Sequence, residues 1–112
     1  MAKVTIQSTY PDDYVNAPGF TPALASVTAS QTFVTITVAQ TPPALPLSGP
    51  ILVAGDVVEP HDTASTKHDT ATMNATIQTY VKINGAVIVV DGDAATCTHL
   101  IVATTQSFVT IS

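Results

Sequence analysis

One thiol and three imidazoles are the only soft or borderline metal donors in this chain, and all four fall between residues 61 and 99: His61, His68, Cys97 and His99. Four such donors are the number that closes a tetrahedral zinc site. Cys97 and His99, in "DGDAATCTH", are two positions apart, so on an extended segment both would project to the same side. His61 and His68 bracket the polar stretch "DTASTK", which is long enough to fold back and present both rings. Asp62 and Asp69 each follow a histidine and are placed to accept a hydrogen bond from a ring N–H. Neither pair has the spacing of a zinc finger. The plainer reading takes the histidines as ordinary loop residues and Cys97 as a small buried hydrophobe, and residue types alone leave the two readings level. If metal binds, zinc is the first expectation and iron its rival. Four protein ligands mean a structural site, because a catalytic zinc keeps one position for water. A hydrolase using three of them with Glu59 or Asp93 as base is the lesser alternative. With no Ser/His/Asp order, Gly-rich phosphate loop or close carboxylate pair, no enzyme is expected.

The elements that must position these side chains read as strands. "KVTIQ", "TFVTITV", "TYVKIN", "AVIVVD" and "SFVTIS" alternate at period two, and helical periodicity is missing. In "KINGAV", Asn84-Gly85 lies between two β-rich runs and predicts a two-residue hairpin, since both residues tolerate positive φ. "TPPALPLSGP", with Pro42, Pro43, Pro46 and Pro50, reads as an extended connector between an N-terminal lobe (1–50) and a second part (51–112) of one domain.

Three of the strands are copies of one pattern: "ASQTFVTIT" (29–37), "TIQTYVKIN" (76–84) and "TTQSFVTIS" (104–112). Each has Gln, Thr or Ser, Phe or Tyr, Val, a polar residue, then Ile. The copies are unequally spaced, so the pattern is a structural repeat without a solenoid period. Alternation puts Val and Ile on one face, expected to be core, and Gln and the aromatic on the other.

Composition limits the partners. Three lysines, no arginine and a net charge of −5 leave no basic footprint for nucleic acid. Only 10% of residues are charged beside 46% hydrophobic, against about 25% charged in ordinary soluble domains. A surface so weakly charged points to lasting association with a partner. "AVIVV", at 86–90, is too short to cross a bilayer, and the opening residues lack the pattern of a cleaved leader, so synthesis in the cytoplasm is expected. A single cysteine allows no internal disulfide.

"NGAVIVVDGD" (84–93) resembles the "NG", five or six residues, "GD" hairpin of PAAR-repeat proteins. "GDVVEPH" (55–61) looks like that family's Gly-Asp-then-His loop, and "GDAATCTH" (92–99) like its Gly-Asp-then-Cys loop. The resemblance covers 51–112 and extends to "TFVTIT". It implies a small conical all-β domain with a pseudo-threefold repeat, stapled by one metal ion held by three histidines and one cysteine. His61, His68, Cys97 and His99 match that set. It also implies a function: the structural tip of the membrane-piercing spike of a phage tail or type VI secretion system. One copy would cap each trimeric β-helical spike, in the virion baseplate or assembled apparatus. The chain would be a monomer when alone and would pierce a membrane without remaining in it. The Pro-Ala-Ala-Arg tetrapeptide that names the family is absent, with Val87, Ile88, Val89 and Val90 in its place, which marks a divergent, phage-like branch. Because the sequence ends with the third copy, no appended toxin is expected. The competing expectation is a receptor- or glycan-binding tail module, which requires exposed aromatics in a chain with no Trp, three Tyr and three Phe.

Overall fold

β-branched residues at alternate positions favour short pleated segments, and those segments make up the fold. In the computed structural model, residues 2–7, 13–16, 24–39, 47–62, 67–68, 70–103 and 109–111 are described. Among them there is no helix, so none is long and apolar enough to cross a membrane. The strands are β1 (Ala2–Lys3), β2 (Asp13–Asn16), β3 (Leu24–Ala25), β4 (Val27–Thr28), β5 (Thr35–Val38), β6 (Leu47–Pro50) and β7 (Val57–Val58). They continue as β8 (His61–Asp62), β9 (Lys67–His68), β10 (Lys82–Ile83), β11 (Ala86–Val87), β12 (Ile101–Ala103) and β13 (Thr110–Ile111).

Three segments close into a ring at the centre. Val4 pairs with Val90, Ile6 with Ile51 and Val53 with Ile88, so each of 4–6, 51–53 and 88–90 touches the other two. Their middle residues donate around the ring. Thr5 N–H reaches the Val89 carbonyl at 3.2 Å, Val89 N–H the Leu52 carbonyl at 2.9 Å, and Leu52 N–H the Thr5 carbonyl at 3.1 Å. Thr5, Leu52 and Val89 are each 0% exposed. With every ring amide partnered, the buried backbone at this point avoids the cost of unpaired polar groups.

Each ring segment is entered from a two-stranded antiparallel arm. β5 pairs with β6, β10 with β11 and β13 with β1. In each arm the valine of the repeated sequence accepts from the first ring residue: Val34 from Ile51 at 3.0 Å, Val81 from Ile88 at 3.1 Å, and Val109 from Val4 at 3.1 Å. The Asn84-Gly85 hairpin is as expected, with φ of 51° and 84° and Ile83 opposite Ala86. The last four residues of the proline-rich stretch are not connector, however. They form β6, and Pro50 accepts from Gln7 N–H at 2.9 Å.

Beyond the ring the chain makes hairpins that contact one another in turn. β4 pairs with β7, Met73 bridges Ala95, and β12 pairs with β2, which also pairs with β3. Alternation along the ring segments divides the core in two. Leu52 and Val89 join the hairpin residues Val15, Ala25, Val27, Val58, Ala71, Met73, Ala95 and Ile101. Val4, Ile6, Ile51, Val53 and Ile88 pack with Ile36, and partly with Ile83, Ala86, Val109 and Ile111, of the arms. Ile88, Val89 and Val90 are therefore buried ring residues.

One expectation about the repeats is corrected. Gln31 and Gln78 are buried, while Val34 and Val81 are exposed along with Phe33 and Tyr80. Each glutamine is used completely. Gln31 Nε2 donates to the Val34 and Ile51 carbonyls, and its Oε1 accepts from Phe33 and Val34 N–H. Gln78 repeats this with Val81 and Ile88, and with Tyr80 and Val81. A side chain that satisfies four backbone groups is better placed inside than a valine that satisfies none. Gln106, Ser107 and Phe108 of the third copy lie outside the described residues.

Candidate metal centre

Both donor pairs sit on hairpins that leave the ring through a Gly-Asp turn. Gly55 and Gly92 have φ of 93° and 92°, and the aspartate after each folds its carboxylate back onto the backbone. Asp56 accepts from Val53 N–H at 2.8 Å and from Ser30 N–H at 3.0 Å, with the Ser30 hydroxyl adding a third bond. Asp93 accepts from Val90 N–H at 2.9 Å, Thr76 N–H at 3.0 Å and Ile77 N–H at 3.1 Å. Both are buried. The Asp93 carboxylate is thus engaged by three backbone amides. Glu59 is tied to Ser26, whose N–H it accepts at 3.1 Å.

After the first turn, the pairing of Val57 with Thr72 keeps the same register as that of His61 with His68. The described residues on either side, 57–62 with 67–68 and 70–72, therefore run antiparallel, and the two histidines are direct cross-strand partners. Asp62 pairs with Lys67 on the next rung, and Asp69 lies outside the described residues.

After the second turn, Ala95 N–H donates to the His99 carbonyl at 2.8 Å and Thr98 N–H to the Ala95 carbonyl at 2.9 Å. Cys97 and His99 are thus on a tight loop, not on the extended segment that their spacing suggested. Thr98, between them, has φ of 75°. The loop brings Cys97 Sγ to 3.5 Å from His99 Nδ1. Cys97 is half-buried against the cluster containing Val58 and Ala71. Thr72 joins the two hairpins: it receives the Thr96 N–H at 2.8 Å and donates its own N–H to the Thr96 hydroxyl at 3.1 Å.

The structure therefore brings Cys97 to His99, and pairs His61 with His68 along the backbone, on adjacent hairpins. Among the described residues no three His, Cys, Asp or Glu side chains converge on one point, and the His61 and His68 side chains are outside that set. By chemistry the donors fit a borderline-soft ion such as zinc, which takes thiolate and imidazole together. Sequence reasoning missed the structural roles of the buried Gln31, Gln78, Asp56 and Asp93. Their signal was present, since Gln recurs before each Thr/Ser-Phe/Tyr-Val and Gly-Asp recurs after two of the ring segments. No family model, curated protein or solved structure matches this chain.

Proposed function

We propose that this chain is a PAAR-like tip for the central spike of a contractile injection machine, a phage tail or a related particle, made in the cytoplasm and assembled onto the spike. One copy would cap a trimeric β-helical spike, with a metal ion bound by His61, His68, Cys97 and His99. The observation that carries this reading is the ring of Thr5, Leu52 and Val89, each donating to the next, with the Val34, Val81 and Val109 carbonyls in matching places. On this reading the arrangement is a pseudo-threefold axis within one chain. A monomer so built offers nearly equivalent faces to the three identical subunits of a trimer, and it covers the unpaired backbone groups at the end of their strands. Three lysines, no arginine and a net charge of −5 fit a structural part better than a nucleic-acid binder. The deciding experiment is native mass spectrometry of the chain mixed with its spike. A ratio of one to three with a monomeric free chain is expected, and a three-to-three complex or a stable free homotrimer refutes the docking.

The metal is tested separately. Binding energy at residues so far apart in sequence becomes folding energy, so chelation or Cys97→Ser should lower Tm markedly, with about one zinc per chain lost. Unchanged melting in both cases rejects a structural metal.

The exposure of Phe33 and Tyr80, 66% and 63%, favours a second reading, a glycan- or receptor-binding tail module. Glycan-array binding that disappears in Phe33→Ala and Tyr80→Ala variants would replace the first reading with this one.

A further inference from the structure

We propose that Cys97 and His99 form a two-point chelate set by the fold before any metal arrives, and that His99 ligates through Nδ1, leaving its Nε2 protonated. This rests on the metal site proposed above and specifies how this chain's own residues build it. Bonds of about 2.3 Å to sulfur and about 2.0–2.1 Å to nitrogen, at a tetrahedral angle, hold the two donor atoms about 3.5 Å apart. Cys97 Sγ and His99 Nδ1 stand at 3.5 Å. The atom of the imidazole that meets the sulfur is Nδ1, so the distance between the two donors already suits one shared ion.

The backbone holds this spacing at a cost. Thr98 N–H bonds to the Ala95 carbonyl, and Ala95 N–H to the His99 carbonyl, which closes a three-residue loop over 96–98. A loop of this kind normally has glycine at its left-handed position. Here the position is Thr98, a β-branched residue at φ 75°. Strain of this type persists where surrounding structure over-determines it and collects at functional sites. The surroundings are on hand: Cys97 packs on the hairpin core, and Thr96 is bonded to Thr72 from both sides. The pair is therefore the fixed half of the site. His61 and His68 are cross-strand partners on the neighbouring hairpin, and on the reading above they would supply the other two ligands.

The same 3.5 Å contact has a competing use, in which Nδ1–H donates to the thiolate and Nε2 binds the metal. The two arrangements place the ring proton on opposite nitrogens. Long-range 1H–15N correlation spectra of the zinc-loaded, 15N-labelled full chain read this directly. We expect His99 Nδ1 to move from the free pyridine-type position on zinc addition, with Nε2 at the protonated position. A metal-shifted Nε2 overturns the inference while leaving the metal site intact. No zinc uptake by the wild-type chain, measured by elemental analysis, overturns both. As a second measure, the His61→Ala/His68→Ala double variant should still show thiolate-to-metal charge transfer with cobalt(II). Loss of that absorption in a variant that remains folded removes the pre-set chelate.

Discussion

At the residue scale, the side chains that shape this protein are polar and buried. Gln31 and Gln78 each satisfy four backbone groups, and Asp56 and Asp93 each accept three hydrogen bonds. Hydrogen bonds to a charged acceptor are worth about 1.5–3 kcal/mol each, and an unpaired buried donor costs a similar amount. Asp56→Asn puts an NH2 group against a backbone N–H, which turns one acceptor into a repelling donor. A loss of about 2 kcal/mol or more in chemical denaturation is expected. Asp91→Asn is the control, because its described bond is the one from Ala103 N–H to Oδ1 at 2.7 Å and the amide can keep its oxygen there. Equal stability of the Asp56 variant and the wild type would mean that the carboxylate is not holding the turn. These hubs were legible only as recurring letters. Nothing in Gln or Asp predicts burial, because both are ordinarily exposed unless the backbone supplies their partners.

At the element scale, the three arms differ in length though they enter the ring alike. β5 and β6 form four rungs and are joined through 39–46, whereas β10 and β11 form two rungs and are joined by Asn84-Gly85. This difference, with the longer 57–72 hairpin beside the 94–103 one, is why the copies of the repeated sequence are unevenly spaced. The short arm depends on its turn. A Cβ on Gly85 would meet no neighbour, but φ of 84° disfavours any L-residue there. Gly85→Ala should therefore cost about 1–2 kcal/mol through conformation alone. A Tm lowered by several degrees is the expected result, with unchanged zinc content if the proposed metal site is filled. Loss of zinc as well would show that the arm and the donor hairpins are coupled more tightly than the two core clusters imply.

At the scale of the whole molecule, the exposed aromatics stand in corresponding places around the ring, each fixed by its buried glutamine. Phe33 N–H and Tyr80 N–H both donate to the Oε1 two residues before them. Exposed aromatic residues flanked by Val34 and Val81 are the type of anchor that dominates protein interfaces. If the chain docks on a trimer as proposed, Phe33→Ser/Tyr80→Ser should weaken the complex at least about tenfold, or about 1.4 kcal/mol. Its effect on folding should stay near about 0.5 kcal/mol per site, the range for exposed positions. Isothermal titration against the spike, alongside thermal melting, separates the two effects. Unaltered affinity would place the docking surface elsewhere.

What the sequence determined by itself was local. Period-two alternation gave strands, Asn84-Gly85 gave its hairpin, and the matching of Gln-Thr-Phe/Tyr-Val marked 31–34 and 78–81 as equivalent segments. These follow from φ preferences and side-chain alternation, which act within a few residues. The sequence also isolated four donors by scarcity. Tertiary structure decided the rest: that 4–6, 51–53 and 88–90 close a ring, that β1 and β13 pair from opposite ends of the chain, and that the glutamines go inside while Val34 and Val81 stay out. It also decided that Cys97 and His99 meet through a left-handed threonine rather than along an extended strand. The ring and the β1–β13 pairing rest on backbone hydrogen bonds between residues distant in the chain, and the buried glutamines reach across to the Ile51 and Ile88 carbonyls; no local preference specifies which amide will find which carbonyl.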